Sequence, residues 1–127
     1  MNPTINGHRI PSSLILAGSQ TICGSEAVVF IHGDSVTRIA VGEVNRPNIP
    51  IVVQPLSTSR AGAFTVEVLP YYKPASEFPP LFRAKFRQFI LDNIPRGYYD
   101  ADLHHGNYGL GPGGWRVIDP DAIRKQK

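Results

Sequence analysis

Cysteine is almost missing from this sequence: Cys23 is the only one in 127 residues. A lone thiol excludes an intramolecular disulfide and any zinc site built on several cysteines. Long apolar runs are missing as well. Stretches such as Ala27–Ile31 (Ala-Val-Val-Phe-Ile) fall far short of the roughly 18 residues that a membrane-spanning helix needs. Residues 1–11 also lack the charged-then-apolar pattern of a secretory leader. A cytoplasmic protein with no membrane segment is expected. Charge is sparse at 18% of residues, and the excess of one sign is only +3. An imbalance that small is ordinary surface composition, so nucleic acid is not the expected partner.

Glycine and proline, by contrast, are plentiful, at twelve each. A 42% hydrophobic share keeps the chain globular, but so many helix breakers exclude a long-helix bundle or a coiled coil. The length argues for one cored domain rather than two. We expect an α+β fold over residues 14–127, behind a loose arm at 1–13 that Pro3, Gly7 and Pro11 interrupt. Cys23 reads as an incidental buried thiol.

The apolar patterning places a short strand at Leu14–Ala17 and a hairpin of Ala27–Ile31 with Val36–Val41 across His32-Gly33-Asp34-Ser35. Ile51–Leu56 reads as a strand that Pro55 confines to an edge or an end. Ser57–Gly62 reads as a polar loop and Ala63–Leu69 as an alternating strand. One helix is expected from about Pro80 to Asn93, where Phe82, Phe86, Phe89 and Ile90 repeat at helical period; Arg83 and Arg87 read as its solvated basic face. Tyr108–Leu110 and Trp115–Ile118 flank Gly111-Pro112-Gly113-Gly114 and read as a second hairpin with Trp115 in its core. That glycine-rich turn lacks the Lys-Ser/Thr ending of a phosphate loop. Tyr71, Tyr72, Tyr98 and Tyr99 read as half-buried aromatics rather than a base-stacking platform.

Chemistry concentrates at Asp100, Asp102, His104, His105, Asn107 and Asp119. The hairpin turns the chain back on itself, so Asp119 can lie near Asn107 and share a hard cation through oxygen ligands, as Mg²⁺ prefers. The bland alternative is a polar turn with Asx caps. Adjacent histidines in extended backbone point to opposite sides, which argues against a transition-metal site at His104-His105.

Asp102-Leu103-His104-His105-Gly106-Asn107, followed by a hairpin and Val117-Ile118-Asp119-Pro120-Asp121, resembles the catalytic loop and metal segment of the protein-kinase-like superfamily, above all its aminoglycoside-phosphotransferase-like branch. That pattern is an Asp, an Asn five residues on, and an Asp about a dozen residues later. The resemblance implies a minimal kinase-like domain: a small antiparallel sheet, one main helix and a catalytic-loop hairpin. It implies Asp102 as catalytic base, His104 at the transferred phosphate, and Asn107 and Asp119 on Mg²⁺. Further upstream, Gly24 and Ser25 resemble the end of a glycine-rich loop. Arg38 stands where the phosphate-pairing Lys would be, with Glu43 the nearest substitute for that Lys's glutamate partner. Glu67–Leu69 resembles a hinge that bonds adenine through its backbone. The helix between the third and fourth strands is missing, and the chain is strongly truncated against the family. The implied function is an Mg²⁺/ATP phosphotransferase. The alternative is an inactive pseudokinase that docks on and regulates or blocks a partner, in the manner of a phage protein acting on a host factor. A homodimer interface could replace core lost with the missing lobe.

Overall fold

The computed structural model describes residues 2–24 and 26–127. Its contacts separate into two units, one formed by residues up to Val44 with Pro55–Tyr71, the other by Asn45–Gln54 with Tyr72–Lys127. Each unit has its own hydrophobic cluster, where the length alone argued for one. The architecture is α+β, mostly antiparallel sheet with a single α-helix among the described residues. No helix among them is long and apolar enough to cross a membrane.

The first unit opens with β1 (Thr4–Ile5) and β2 (His8–Arg9), a two-stranded hairpin. Asn6 and Gly7 both take positive φ, 48° and 80°, as the favoured two-residue hairpin turn requires. The expected loose arm is therefore ordered. Ile5 and Ile10 are almost fully buried and pack in one cluster with Val28, Phe30, Ile39 and Phe64. Burying an aliphatic side chain this completely contributes roughly 1.5–3 kcal/mol, which is what orders the segment.

The main sheet comprises β3 (Gln20–Cys23), β4 (Ala27–His32), β5 (Ser35–Val41), β6 (Ser57–Ala61) and β7 (Phe64–Pro70). Its order is β3-β4-β5-β7-β6, antiparallel throughout. Ser12–Leu14 is a 3₁₀ turn, and the first edge strand starts at Gln20 rather than Leu14. The polar run at 57–61 is the other edge strand, exposed over nearly its whole length, which is why it carries no apolar alternation. Cys23 lies on the β3 edge and is exposed, not buried.

In the second unit the 3₁₀ turn Ser12–Leu14 has a counterpart at Ala75–Glu77, just after β8 (Lys73–Pro74). Helix α1 spans Pro80–Asp92, one residue short of the sequence reading. Pro80 takes the first helical turn, where its missing N–H costs nothing, and Asn93 closes the end by donating its side-chain amide to the Phe89 carbonyl at 2.8 Å. Then come β9 (Tyr98–Asp100), β10 (Tyr108–Gly111), β11 (Gly114–Val117) and β12 (Ile123–Lys125). β10 and β11 form the expected hairpin, β8 adds to its edge, and β12 pairs with β9. The apolar run at 51–56 is not a strand. Val52 makes an isolated parallel bridge to Val117, and Ile51, Val52 and Val53 are buried.

Two predictions follow from this packing. A Cβ on Gly109 would lie inside the Lys73 carbonyl oxygen and 2.8 Å from its carbon, and backbone cannot step aside as a flexible side chain can. Gly109→Ala should therefore lower the urea midpoint by the equivalent of about 2 kcal/mol. The second concerns Tyr108, which is fully buried and donates its hydroxyl to the Arg83 carbonyl at 3.0 Å. Burial pushes its phenol above the ordinary value of 10.0, with Arg87 and Arg83 pulling weakly the other way. The folded chain thus holds this proton more tightly than the unfolded chain. That stabilising contribution is full below about pH 10 and is lost as pH rises through the folded value. In an alkaline phenolate titration one of the five tyrosines should ionise late, and Tyr108→Phe should remove that late step.

Candidate functional site

The connection from β9 to β10 holds the implied catalytic loop, and its shape is set by Asn107. This side chain is 3% exposed. Its Oδ1 accepts the His104 N–H at 2.9 Å, and its Nδ2 donates to the Asp102 carbonyl. Its own N–H donates to the His104 carbonyl at 3.0 Å. One buried amide thus pins both ends of the turn and has its own donor and acceptor satisfied by the loop backbone.

The same residue ties the loop to the far end of the hairpin. The Asn107 carbonyl accepts the N–H groups of Ile118 at 2.7 Å and Asp119 at 3.3 Å. From the other side, the Ala122 carbonyl accepts the N–H groups of Ala101 at 2.9 Å and Asp102 at 3.1 Å. Asp102, Asn107 and Asp119 are therefore neighbours through backbone hydrogen bonds, although the hairpin separates them in sequence. Asp119 is half-buried; its Oδ1 accepts the Asp121 N–H at 2.8 Å. Its second carboxylate oxygen carries no hydrogen bond among the described residues.

The Asp102 side chain is 75% exposed, and its Oδ2 lies 4.0 Å from His104 Nε2. His104 Nδ1 accepts the Gly106 N–H at 3.1 Å. That bond assigns the proton of a neutral ring to Nε2, on the side of Asp102. His105, which the sequence left without a role, gives its carbonyl to the Ser76 N–H at 2.9 Å and sets its ring edge-on to Tyr108.

Helix α1 supplies supports that the sequence reading missed. Arg87 reaches Asp100 Oδ2 at 3.2 Å, while Asp100 Oδ1 caps the Leu103 N–H at 2.8 Å. Arg83 donates to the Phe78 carbonyl at 2.9 Å and the Ser76 carbonyl at 3.1 Å. The two arginines are thus engaged, not a purely solvated face. Their spacing of one helical turn beside an Asp-rich loop was the available signal.

The nucleotide residues implied upstream lie in the first unit. Gly24 donates its N–H to the Ala27 carbonyl at 2.9 Å, so that amide is committed to closing the β3–β4 connection rather than offered to an anion. Ser25 lies outside the described residues. Arg38 is paired across the sheet with Glu67, at 3.5 Å, so the carboxylate that meets it comes from β7 and not from Glu43. Glu67 is 2% exposed and faces Arg38 on one side and Thr58 on the other, inside the strand ladder rather than at a hinge. Leu69 is buried, and its backbone lies where β7 outruns the last residue pair with β6, Ser57 with Val68.

As for a cation, no group of three or more His, Cys, Asp or Glu among the described residues is placed to hold one. The oxygens at the loop are the exposed Asp102 carboxylate, one carboxylate oxygen of half-buried Asp119 and the second lone pair of Asn107 Oδ1, on a residue only 3% exposed. Such a sparse oxygen set suits only an ion that keeps water and phosphate oxygens as its other ligands, and Mg²⁺ is of that kind. No protein-family model matches this chain, and no curated protein matches it.

The loop's dependence on Asn107 is open to a direct test. Asn107→Asp keeps the acceptor for His104 but sets a carboxylate oxygen against the Asp102 carbonyl. It should cost about 2 kcal/mol in denaturant unfolding at neutral pH. The loss should shrink as pH falls toward about 4 and be smallest below it, where the carboxyl is protonated in both states and can donate again. Asn107→Ala should be destabilised at both pH values alike.

Proposed function

We propose that the β9–β10 loop binds an Mg²⁺–nucleotide complex and that the chain is a minimal phosphotransferase of the protein-kinase-like kind. The observation that carries this reading is the backbone link from Asn107 to Asp119, which gathers an Asp, an Asn and a second Asp around one loop within a single unit. In this reading Asp119 and Asn107 hold the cation by oxygen. Mg²⁺ supplies charge neutralisation on the transferring phosphate. Asp102 is exposed enough to meet an incoming hydroxyl and takes its proton. The hydroxyl oxygen forms the new bond to phosphorus as the bond to the ADP oxygen breaks. His104 directs Nε2–H toward the same space and contacts a phosphate oxygen.

A second reading, an inactive scaffold that docks on a partner, has one observation in its favour. Both polar ends of the Asn107 amide already serve the loop's own backbone. Under that reading the Asp/Asn/Asp set is purely structural.

Thermal unfolding with ATP and Mg²⁺ at millimolar concentration separates the two. The phosphotransferase reading expects a rise in midpoint of several degrees, corresponding to about 2.7 kcal/mol when ligand is at 100 times its Kd. The rise should need both ATP and Mg²⁺ and should vanish in Asp119→Ala. A melting curve that ATP and Mg²⁺ leave unmoved would sink that reading and leave the scaffold.

A further inference from the structure

Helix α1 buries much less of itself than its aromatic stripe leads one to expect. Ile90 is fully buried, and Phe86 stacks on Trp115 with ring centroids 4.0 Å apart. Yet Leu81, Phe82 and Phe89 are 89%, 49% and 43% exposed. Leu81 and Phe82 at the start of the helix and Phe89, about 10 Å farther along the same side, are apolar side chains left in water, of the kind that marks an interaction surface. Beside them runs an apolar groove lined by Phe86, Phe89 and Trp115, with Lys85, Gln88 and Asp92 along it.

The charges of this groove say what fits it. Lys85 and Asp92 lie on one stripe, seven residues and so about 10 Å apart, with Gln88 and Phe89 midway between them. Gln88 Nε2 donates to Asp92 Oδ1 at 2.8 Å and holds that carboxylate in place. A face with a cation at one end, an anion at the other and an aromatic centre is complementary to itself under a two-fold rotation. An acidic or a basic peptide would satisfy one end and oppose the other. The two charges also cancel within the face, so the chain's net +3 does not concentrate there.

We propose that a second copy of this chain docks here, with α1 antiparallel to α1 about a two-fold axis near Gln88–Phe89. Each Lys85 then meets Asp92 of the other copy, and Phe82 and Phe89 are covered between the helices. The proposal is independent of the nucleotide reading, since none of these residues belongs to the loop.

Sedimentation equilibrium of the full chain, from micromolar to millimolar concentration, tests it. The wild-type chain should show a reversible monomer–dimer equilibrium. Lys85→Asp and Asp92→Lys should each weaken dimerisation at least tenfold, since each sets like charges face to face. The double variant carries the same charges in reversed order and should recover to within about threefold of wild type. Phe89→Ser should abolish the dimer. These positions are exposed, so the melting curves should stay close to wild type and show that every variant is folded. A wild-type chain that is monomeric throughout would overturn the proposal. So would a dimer indifferent to the single charge changes, or a double variant no tighter than either single one.

Discussion

Asn107 is the constraint on which the functional half of this molecule depends. Its side chain is the one group that bonds both the Asp102 carbonyl and the His104 N–H, and its carbonyl receives the returning strand at Ile118 and Asp119. A buried amide is suited to this because it offers a donor and an acceptor a fixed distance apart. The cost of leaving that buried amide unpaired exceeds the modest net gain of an ordinary hydrogen bond. So the loop's conformation is set by avoidance of unsatisfied polar groups more than by attraction. The exposed side chains that would do chemistry, Asp102 and His104, ride on a frame made almost wholly of backbone.

Around that frame the second unit works in layers. Tyr108, next in sequence to Asn107, is fully buried and bonds the Arg83 carbonyl of α1. Arg87, one turn along the same helix, pairs with Asp100 at the loop's entry. Exposed by more than a quarter on both sides, that ion pair contributes little energy of its own. Its effect is geometric, since Asp100 also caps Leu103. The first unit has polar ties of its own, Asn2 to the Ile10 carbonyl, Thr65 to the Gly42 carbonyl and Arg38 to Glu67, but its core is apolar. It is a sheet with one face covered by the β1–β2 hairpin, and Ile5 and Ile10 do the covering.

Much of this was legible in the residues, and the gaps have physical reasons. The 80–92 helix shows in its 3.6-residue apolar period, and the 108–117 hairpin shows in the glycine-rich turn between two apolar pieces. The strand at 57–61 was hidden because an exposed edge strand has no buried face to imprint an alternation. The run at 51–56 misled for the opposite reason: its apolar residues fill a core without joining a ladder. Gly7 counts with Pro3 and Pro11 as a breaker of the arm, whereas after Asn6 it makes the two-residue hairpin turn. At the site, the spacing of Asp102, Asn107 and Asp119 pointed to their convergence. It could not show that the Asn107 amide is spent on the loop backbone, or that Glu67 rather than Glu43 meets Arg38. The second depends on strand register, which is set by pairs distant in sequence; the first is local, but an Asn three to five residues from its partners fits a cation ligand and a turn cap equally well.

The segment Asn45–Gln54 has a consequence for how the chain comes to be folded. It is bracketed in sequence by strands of the first unit yet belongs to the second, where Val53 donates to the Val117 carbonyl and Val117 to the Ile51 carbonyl. Neither unit is a continuous stretch of chain, so neither can be cut out whole. During synthesis Ile49, Ile51 and Val52 emerge early; the residues of their cluster follow one after another from Ala75 to Ile123, and the backbone bonds to Val117 form long after the strands of the first unit have emerged. Closing so long a loop is slow, and the waiting apolar segment stays incompletely covered until it closes. The interval between Val53 and Val117 is therefore when a nascent copy of this protein is most open to capture by a chaperone or by another chain.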